Sequence, residues 1–314
     1  MKESKSEIRN PKSVISYHTS VLLHESIDGL NIQPDGVYVD ATFGGGGHSK
    51  EILKRLGKKG KLIAFDQDED AQRNAIDDKR FTLVQANFRE LKRFLRLHEA
   101  IPVDGILADL GVSSWQFDTA ERGFSFRYEG PLDMRMNRHT EKSAKDVLNE
   151  YSADDLQKLL SEYGEVRNAK TLANSIVNAR ATKFFESIAD LKSILEQCRI
   201  GEEHKYYAQV FQAVRIEVND ELGALKDFLQ QCCGVLKPNG RLSVITFHSL
   251  EDRLVKNYMK HGTFDDEPVK DFFGNYEKKF KVITKKPIEA SKEEQKQNSR
   301  SRSAKLRVAE KQPL

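Results

Sequence analysis

Short apolar runs alternate with amphipathic stretches through the first third of the chain. Val37 and Val39 belong to the first such run, and Ile52, Leu53 and Leu56 after it fall on one face at helical spacing. Short apolar strands separated by helices are typical of a parallel sheet that is covered on both faces. The pattern predicts strands at 37–43, 61–66, 81–86 and 103–110, with helices around 49–56, 69–76 and 88–97.

The pattern changes after residue 110. From 142 to about 203 no strand pattern is found, and apolar residues recur at helical spacing instead. Ser152 and Ser187 each stand three residues before an aspartate, which is the spacing of a capping box that opens a helix. This segment predicts a helical insertion in the sheet fold.

The strand pattern returns late in the chain. A turn is predicted at 237–240 and an apolar strand at 241–247, after which Ser249 is predicted to open a helix with a capping box. Two late strands, 281–285 and 304–309, are joined by a charged loop and predict an antiparallel hairpin at a sheet edge.

These elements predict an α/β fold with a seven-stranded, mostly parallel sheet, a C-terminal antiparallel hairpin and an inserted all-helical domain. That architecture is typical of Rossmann-like class I methyltransferases. The predicted division is a polar lead-in at 1–16, a methyltransferase domain at 17–138 and 207–314, and the helical insertion at 139–206.

Composition limits the class of protein. A chain of 314 residues can hold one large α/β domain and a smaller one, and its net charge of +3 means that any basic character must be local. Cys198, Cys232 and Cys233 lack metal-ligand spacing, so we expect reduced, structural cysteines and no metal site. The polar N-terminus and the absence of long apolar runs predict a cytoplasmic protein that makes no use of a membrane.

A glycine-rich crossing from strand to helix, at 40–48, is the most informative segment. Its four glycines allow backbone N–H groups to come close to a ligand. Asp66 ends the next apolar run, 22 residues after Gly44, which is the spacing at which a carboxylate meets ribose hydroxyls. The pair predicts a site for a nucleoside-containing cofactor, the alternative being a tight turn without a ligand.

Spacing alone does not separate a nicotinamide dinucleotide from S-adenosylmethionine, because both carry adenosine. The crossing lacks the third glycine of the dinucleotide motif and has His48 near the start of the helix. Asp40 would repel a diphosphate but not a cationic sulfonium. The residues therefore favour S-adenosylmethionine.

A set of long motifs, found in order, resembles one family. The chain is similar to the bacterial 16S ribosomal RNA cytosine-N4 methyltransferases, the RsmH or MraW family, from about residue 17 to 311. The segments that carry the resemblance are 17–23, 40–48, 109–114, 121–126, 130–136, 211–216, 247–253 and 301–307.

The resemblance implies transfer of a methyl group from S-adenosylmethionine to the exocyclic N4 amine of one cytidine in the decoding region. The partner would be 16S ribosomal RNA or the small ribosomal subunit, and a homodimer is one option for the oligomeric state. The implied cofactor contacts are Gly46, Gly47, His48, Asp66, Phe88, Asp109 and Gln116.

The chain departs from the family pattern in two places. Trp115 stands where a proline is usual, which does not affect the chemistry. Residues 205–210 differ from the stretch that is typical of the family, so the family's RNA contacts are less readily assigned to the insertion of this chain.

The sequence also suggests which residues act on the substrate. Asp109 ends the fourth strand, where ligands of open α/β sheets bind, so it is a candidate acceptor for the N–H groups of a cytosine amine. The alternative for Asp109 is a contact with the cofactor only. Asp133 is a second catalytic candidate, and Arg135 beside it is a substrate candidate, because their loop offers no apolar partner; solvation alone is the alternative.

The remaining substrate candidates are aromatic or basic. Aromatic side chains after Asp109 could stack on an extruded base or lie in the core, and His248 could face substrate or form a structural corner. Residues 278–311 hold twelve Lys or Arg against four Glu, and a second basic group lies at 54–61; such clusters suit RNA phosphates. The candidates are Trp115, Phe124, Phe126, Arg215, His248, Arg300 and Arg302.

Two other function classes stay open from the sequence. A nicotinamide-dependent oxidoreductase would share the nucleotide-binding turn. A non-catalytic RNA-binding assembly factor would keep the fold, although it would have no need of a cofactor pocket.

Overall fold

The computed structural model describes residues 20–268, 272–274, 276 and 278–313. Its centre is one sheet with strand order β3-β2-β1-β4-β5-β8-β6, with β7 paired to β8. Strands β1 to β5 run parallel, and β8 is antiparallel to each of its neighbours. The strands are β1 Val37–Asp40, β2 Lys61–Asp66, β3 Phe81–Gln85, β4 Val103–Asp109, β5 Leu236–Thr246, β6 Phe280–Val282, β7 Ile288–Glu289 and β8 Lys305–Lys311.

Helices cover both faces of the sheet and fill the insertion. They are α1 Leu23–Gly29, α2 Gly47–Arg55, α3 Leu91–Leu97, α4 Ser114–Asp118, α5 Ala144–Glu150, α6 Ala153–Glu162, α7 Ala169–Arg180, α8 Ile188–Cys198, α9 Glu203–Asn219, α10 Glu221–Val235, α11 Ser249–His261 and α12 Lys292–Gln297. No helix in the described part of the chain is both long enough and apolar enough to span a membrane.

The predicted sheet is confirmed, with differences at the edges. Strand 61–66 has the predicted bounds, and the others shift by a few residues. The described residues contain eight strands instead of seven, because the late charged loop holds β7, α12 and a 3-10 helix at Ser299–Ser303. The late strands are antiparallel, as predicted, and β8 lies between β5 and β6.

Three local predictions need correction. The turn predicted at 237–240 lies within the bounds of β5 as an irregularity: Leu236 pairs with Val103 and Arg241 with Gly105, residues 237–240 have no strand-pairing partner on β4, and Asn239 has φ of 64°. The helix at 69–76 is a 3-10 helix, Glu69–Asn74, opened by the Asp68 side chain. His248, not Ser249, is the N-cap of α11, and the Glu251 carboxylate accepts the Phe247 N–H instead.

The helices α5 to α9 share an apolar core of their own. Leu148, Leu160, Leu172 and Val210 are fully or almost fully buried in it. Apolar packing of such faces, at about 25 cal/mol per Å² of buried apolar surface, is what holds short helices together. Helix α9 runs through the predicted boundary at 206/207, and the domain division stays a prediction. The predicted lead-in at 1–16 lies outside the described residues.

Candidate cofactor and active site

The glycine crossing joins β1 to α2 at the carboxyl edge of the sheet. Gly44 and Gly46 have φ of 50° and 75°, which side-chain-bearing residues adopt at a cost. A Cβ built on Gly47 would lie 2.0 Å from Ser20 Oγ, so a side chain at that position would require the Ser20 hydroxyl to move. Among the described residues no heavy atom lies within 4 Å of a Cβ built on Gly45, which leaves the crossing open on one side.

Asp66 closes β2 beside this crossing. Its Oδ2 accepts the Gly44 N–H at 2.8 Å and its Oδ1 accepts the Asp68 N–H at 2.8 Å. Burial raises the pKa of Asp66 to about 6, although the two backbone hydrogen bonds oppose the change. The carboxylate is thus oriented by the backbone and keeps lone pairs for further donors such as sugar hydroxyls.

Asp40 and His48 are buried behind the crossing. Asp40 accepts hydrogen bonds from the Thr42 N–H at 3.1 Å and from Ser49 Oγ at 2.7 Å, and burial raises its pKa. His48 Nε2 lies 3.2 Å from the Val21 carbonyl oxygen, and burial lowers the pKa of its ring. These contacts give His48 a role in shaping the loop.

Asp109 ends β4, next to β1. Its backbone N–H donates to Thr42 Oγ1 at 2.6 Å, and its Oδ2 lies 3.8 Å from His48 Nδ1. Its Oδ1 is buried and has no hydrogen-bond partner among the described residues. Burial raises the pKa of Asp109 well above its usual value, and the nearby charges of Asp40 and Glu251 raise it further. An orphaned buried acceptor of this kind is costly, so we take it as the mark of a ligand-binding group.

A buried ionic cluster lies where the loop after β2 meets α4. Asp68 Oδ2 accepts from Gln116 Nε2 at 2.7 Å and from Arg122 Nη1 at 2.6 Å. Arg122, 1% exposed, also binds Asp70 Oδ2 at 3.1 Å. Asp68, Asp70 and Arg122 were not among the predicted site residues. The available signals were the acidic run at 66–70, which is typical of a solvated turn, and the segment 121–126, which carries part of the family resemblance.

The aromatic candidates separate into two groups. Trp115 is 54% exposed, with its indole N–H 3.4 Å from Asp70 Oδ2. Phe124 is buried in the core of the helical unit, and Phe126 packs edge-on against Tyr207 and other aromatic rings there. The structure therefore favours the core interpretation for these two residues and leaves Trp115 as the exposed ring.

Phe88 lies at the start of the short 3-10 helix Phe88–Glu90 that follows β3. Its ring packs edge-on against Phe228 of α10, with the centroids 5.2 Å apart, and its side chain is half-buried. The structure thus places Phe88 beyond the carboxyl end of β3, on the same edge as Asp66.

Asp133 and Arg135 bind each other. Arg135 Nε donates to Asp133 Oδ1 at 3.0 Å and its Nη2 donates to Oδ2 at 2.7 Å. Both carboxylate oxygens of Asp133 are engaged by its neighbour, which favours a structural role for the pair. Their catalytic and substrate roles stay predictions.

Arg215 and His248 both lie close to acidic side chains. Arg215 forms a bidentate pair with Glu221, at 2.7 and 2.9 Å. His248 Nε2 lies 3.2 Å from Glu251 Oε1, and the side chain is 8% exposed. Neither ring nitrogen of His248 has a hydrogen-bond partner in the described part of the chain, and its substrate role stays a prediction. Ligand atoms of Glu221, His248 and Glu251 lie within 4.8 Å of one another, but the Arg215 guanidinium already supplies the positive charge beside Glu221.

Two basic residues of the 3-10 helix Ser299–Ser303 differ in exposure. Arg300 donates to Asp118, and its guanidinium lies 5.1 Å from the ring centre of Phe117, so both contacts are made to α4. Arg302 is exposed.

The geometry fits an S-adenosyl ligand. The open side at Gly45, the oriented carboxylate of Asp66 and the orphaned oxygen of Asp109 all lie at the carboxyl edge of β1, β2 and β4. Ligands of open α/β sheets bind at this edge. The residues predicted to hold this ligand stay predictions: Gly46, Gly47, His48, Asp66, Phe88, Asp109 and Gln116. Of these, Gln116 is 4% exposed, and both ends of its amide are bound within the chain, to Asp68 and Ser113.

The sequence is similar to known proteins over nearly its whole length. A family model described as the MraW methylase family matches residues 15–312. The ribosomal RNA small subunit methyltransferase H of Flavobacterium johnsoniae is 55% identical over 300 residues, covering 95% of this chain and 99% of that protein. The enzyme of the same name from Cytophaga hutchinsonii is 56% identical over 299 residues, covering 94% of this chain and 100% of that protein.

Solved structures give a more distant comparison. An rRNA methylase from Streptococcus thermophilus is 13% identical, with a TM-score of 0.41, covering 98% of this chain and 100% of that chain. A similarity at that level adds nothing to the comparison of sequences. The family model and the two relatives span nearly the whole chain. The chain therefore belongs to the MraW methylase family.

Proposed function

We propose that this protein transfers the methyl group of S-adenosylmethionine to the exocyclic N4 amine of a cytidine in the decoding region of 16S ribosomal RNA. The observation that carries the proposal is the unpartnered buried oxygen of Asp109, at the same edge of the sheet as the glycine crossing and Asp66. The relatives' name, ribosomal RNA small subunit methyltransferase H, supports the choice of substrate. Such a substrate implies a cytoplasmic site of action.

The chain's own residues would do three things in this reaction. Asp66 would accept hydrogen bonds from ribose hydroxyls, and the N–H groups of the glycine crossing would lie against the amino acid end of the cofactor. The bound cofactor supplies an electrophilic methyl group on a sulfonium. Asp109 would accept a hydrogen bond from the cytosine amine, which turns the nitrogen lone pair out of conjugation with the ring.

Charge at the site favours this cofactor over a dinucleotide. Asp40 is fully buried behind the crossing and pairs with Leu107 of β4, two residues before Asp109. In its ionised form, a carboxylate there attracts a sulfonium and an ammonium but repels a diphosphate. This argues against the oxidoreductase alternative.

RNA contact is proposed on two surfaces. The first is the exposed ring of Trp115, on the helix that follows Asp109. The second is the basic C-terminal segment, where Lys285, Lys292, Lys296 and Arg302 are exposed. Stacking on an aromatic ring and ion pairs with phosphates are the usual contacts to single-stranded RNA. The helical insertion at 139–206 is proposed to place the RNA.

The proposed function is tested on ribosomes. Small subunits purified from cells that lack this protein are incubated with the protein and methyl-labelled S-adenosylmethionine, and the RNA is digested and mapped by mass spectrometry. We expect one added methyl group, on the N4 of a single decoding-region cytidine. Subunits that already carry the modification serve as the control. RNA binding with no methyl transfer would favour the assembly-factor alternative instead.

Cofactor affinity is expected to depend on pH through Asp66. Its pKa is raised to about 6, so the carboxylate that accepts ribose hydroxyls is present above that pH and is lost as the pH falls through it. Calorimetric titration with S-adenosylhomocysteine should give a Kd about tenfold higher at pH 5 than at pH 7.

Two variants check the assignment to Asp66. Asp66→Asn should bind more weakly at pH 7 and lose the pH dependence. Asp77→Asn, at an exposed position in the loop before β3, should keep both the affinity and the pH dependence. An affinity that is equal at pH 5 and pH 7 in the unmodified protein would contradict the role of Asp66.

A further inference from the structure

The orientation of Asp66 depends on Asp68. One oxygen of the Asp66 carboxylate accepts the N–H of Gly44, in the crossing, and the other accepts the N–H of Asp68. The first donor belongs to the glycine crossing and the second to the loop after β2. The plane of the carboxylate is therefore set by where the backbone at Asp68 lies.

The side chain of Asp68 holds that backbone in place. It is 4% exposed, its Oδ1 accepts the Asp70 N–H at 3.1 Å, and its Oδ2 accepts from both Gln116 Nε2 and Arg122 Nη1. Gln116 in turn accepts the Ser113 N–H at 3.0 Å, so its amide has one orientation only. Gln116, in the segment that follows Asp109, thus helps to hold the Asp68 side chain in place.

Arg122 is fixed from the other direction. Its Nη2 donates to the carbonyl oxygens of Arg135 and Met136, at 2.9 and 3.0 Å. The N–H of Met136 donates to Asn219 Oδ1, at the end of α9, at 2.7 Å. The guanidinium therefore joins the loop after β2 to the segment that leads into the helical unit.

A buried ion pair is in many proteins only a stabilising contact, and such pairs add little beyond apolar packing. Asp68 differs because it joins two sets of contacts. Its carboxylate accepts hydrogen bonds from Arg122 and Gln116, while its backbone N–H donates to Asp66. We infer that Asp68 is a positioning residue, which orients the Asp66 carboxylate for the ribose hydroxyls of the cofactor. The inference rests on the proposed function, which supplies the cofactor.

The experiment compares two probes by calorimetry: S-adenosylhomocysteine and its 2′,3′-dideoxyribose analogue. The unmodified protein should bind the first at least about tenfold more tightly, since a hydrogen bond to a charged group is worth a factor of that order. Asp68→Asn places an amide N–H₂ against the donors of Gln116 and Arg122, and displaces residue 68. In this variant the affinity for S-adenosylhomocysteine should fall about tenfold, while the affinity for the analogue changes less than about twofold.

A double-mutant cycle with Asp66→Asn separates positioning from bulk stability. If Asp68 acts through Asp66, the substitution Asp68→Asn should have no further effect on affinity in the Asp66→Asn background. Asp77→Asn, at its exposed position, should leave the preference between the two probes unchanged. Arg122→Lys keeps the charge but removes the second donor group, so it provides a milder variant if Asp68→Asn does not fold.

The outcomes are distinct. An equal loss of affinity for both probes, or additive effects in the cycle, would mean that Asp68 is only structural and would overturn the inference. Failure of the unmodified protein to bind S-adenosylhomocysteine at all would instead overturn the proposed function, together with this inference that rests on it.

Discussion

Asp109→Asn is expected to lower the rate of methyl transfer about a thousandfold while making the protein more stable. The substitution keeps the shape of the side chain but replaces a carboxyl oxygen that the cytosine amine would use. Loss of one preorganised hydrogen-bond partner in a water-poor site costs about 10²- to 10³-fold in rate. The affinity for S-adenosylhomocysteine should change far less than the rate.

The gain in stability follows from the raised pKa of Asp109. At neutral pH the folded protein must either ionise this carboxyl beside Asp40 and Glu251 or keep it protonated far above its usual pKa, and both cost free energy. A neutral amide avoids that cost, so Tm should rise by about 2 °C at pH 7. Because the cost vanishes once the unfolded chain is also protonated, the gain should disappear near pH 4.

Single-turnover assays and thermal melts at both pH values measure these effects. Asp77→Asn, at its exposed position, is the matched control and should alter neither quantity. An Asp109→Asn protein that turns over at the normal rate would limit Asp109 to a cofactor contact, which was the alternative drawn from the sequence.

The sheet was predictable because each of its parallel strands carries a local apolar signal. Strand β2 is nearly wholly buried, and its predicted and observed bounds agree. The late charged segment carries no such signal: β7 has two residues, and α12 is a polar helix opened by the Ser291 side chain. Periodicity could not reveal either element, since neither buries an apolar face.

The candidate site was predictable only where spacing along the chain indicates which residues share one edge of the sheet. The 22-residue spacing from Gly44 to Asp66 predicted a carboxylate for ribose hydroxyls at the glycine crossing. The hydrogen bond from the Gly44 N–H to Asp66 shows that this carboxylate lies at the crossing, and the ribose contact stays a prediction. Asp68 and Arg122, in contrast, are 54 residues apart and meet only in the fold. Phe124 and Trp115 look alike as aromatic residues near one loop, and only packing shows that the first is buried and the second exposed.

Arg122→Ala is expected to cost about 3–5 kcal/mol of folding free energy, because breaking a buried ion pair from one side leaves charges without compensation. Without Arg122, Asp68, which is 4% exposed, keeps the neutral Gln116 amide as a partner but loses its ion pair, whereas Asp70, which is 9% exposed, keeps its ion pair with Arg73. Two carbonyl oxygens, of Arg135 and Met136, also lose their donor.

Urea denaturation of Arg122→Ala and of Arg127→Ala measures this cost, with the second variant as the control. Arg127 lies five residues away in sequence and is exposed, so its loss should change the free energy of unfolding by less than about 0.5 kcal/mol. Adding Asp68→Asn to Arg122→Ala should restore part of the stability, since it removes one of the uncompensated charges. A cost below about 1 kcal/mol for Arg122→Ala, or no recovery in the double variant, would show that water or other side chains already balance these carboxylates.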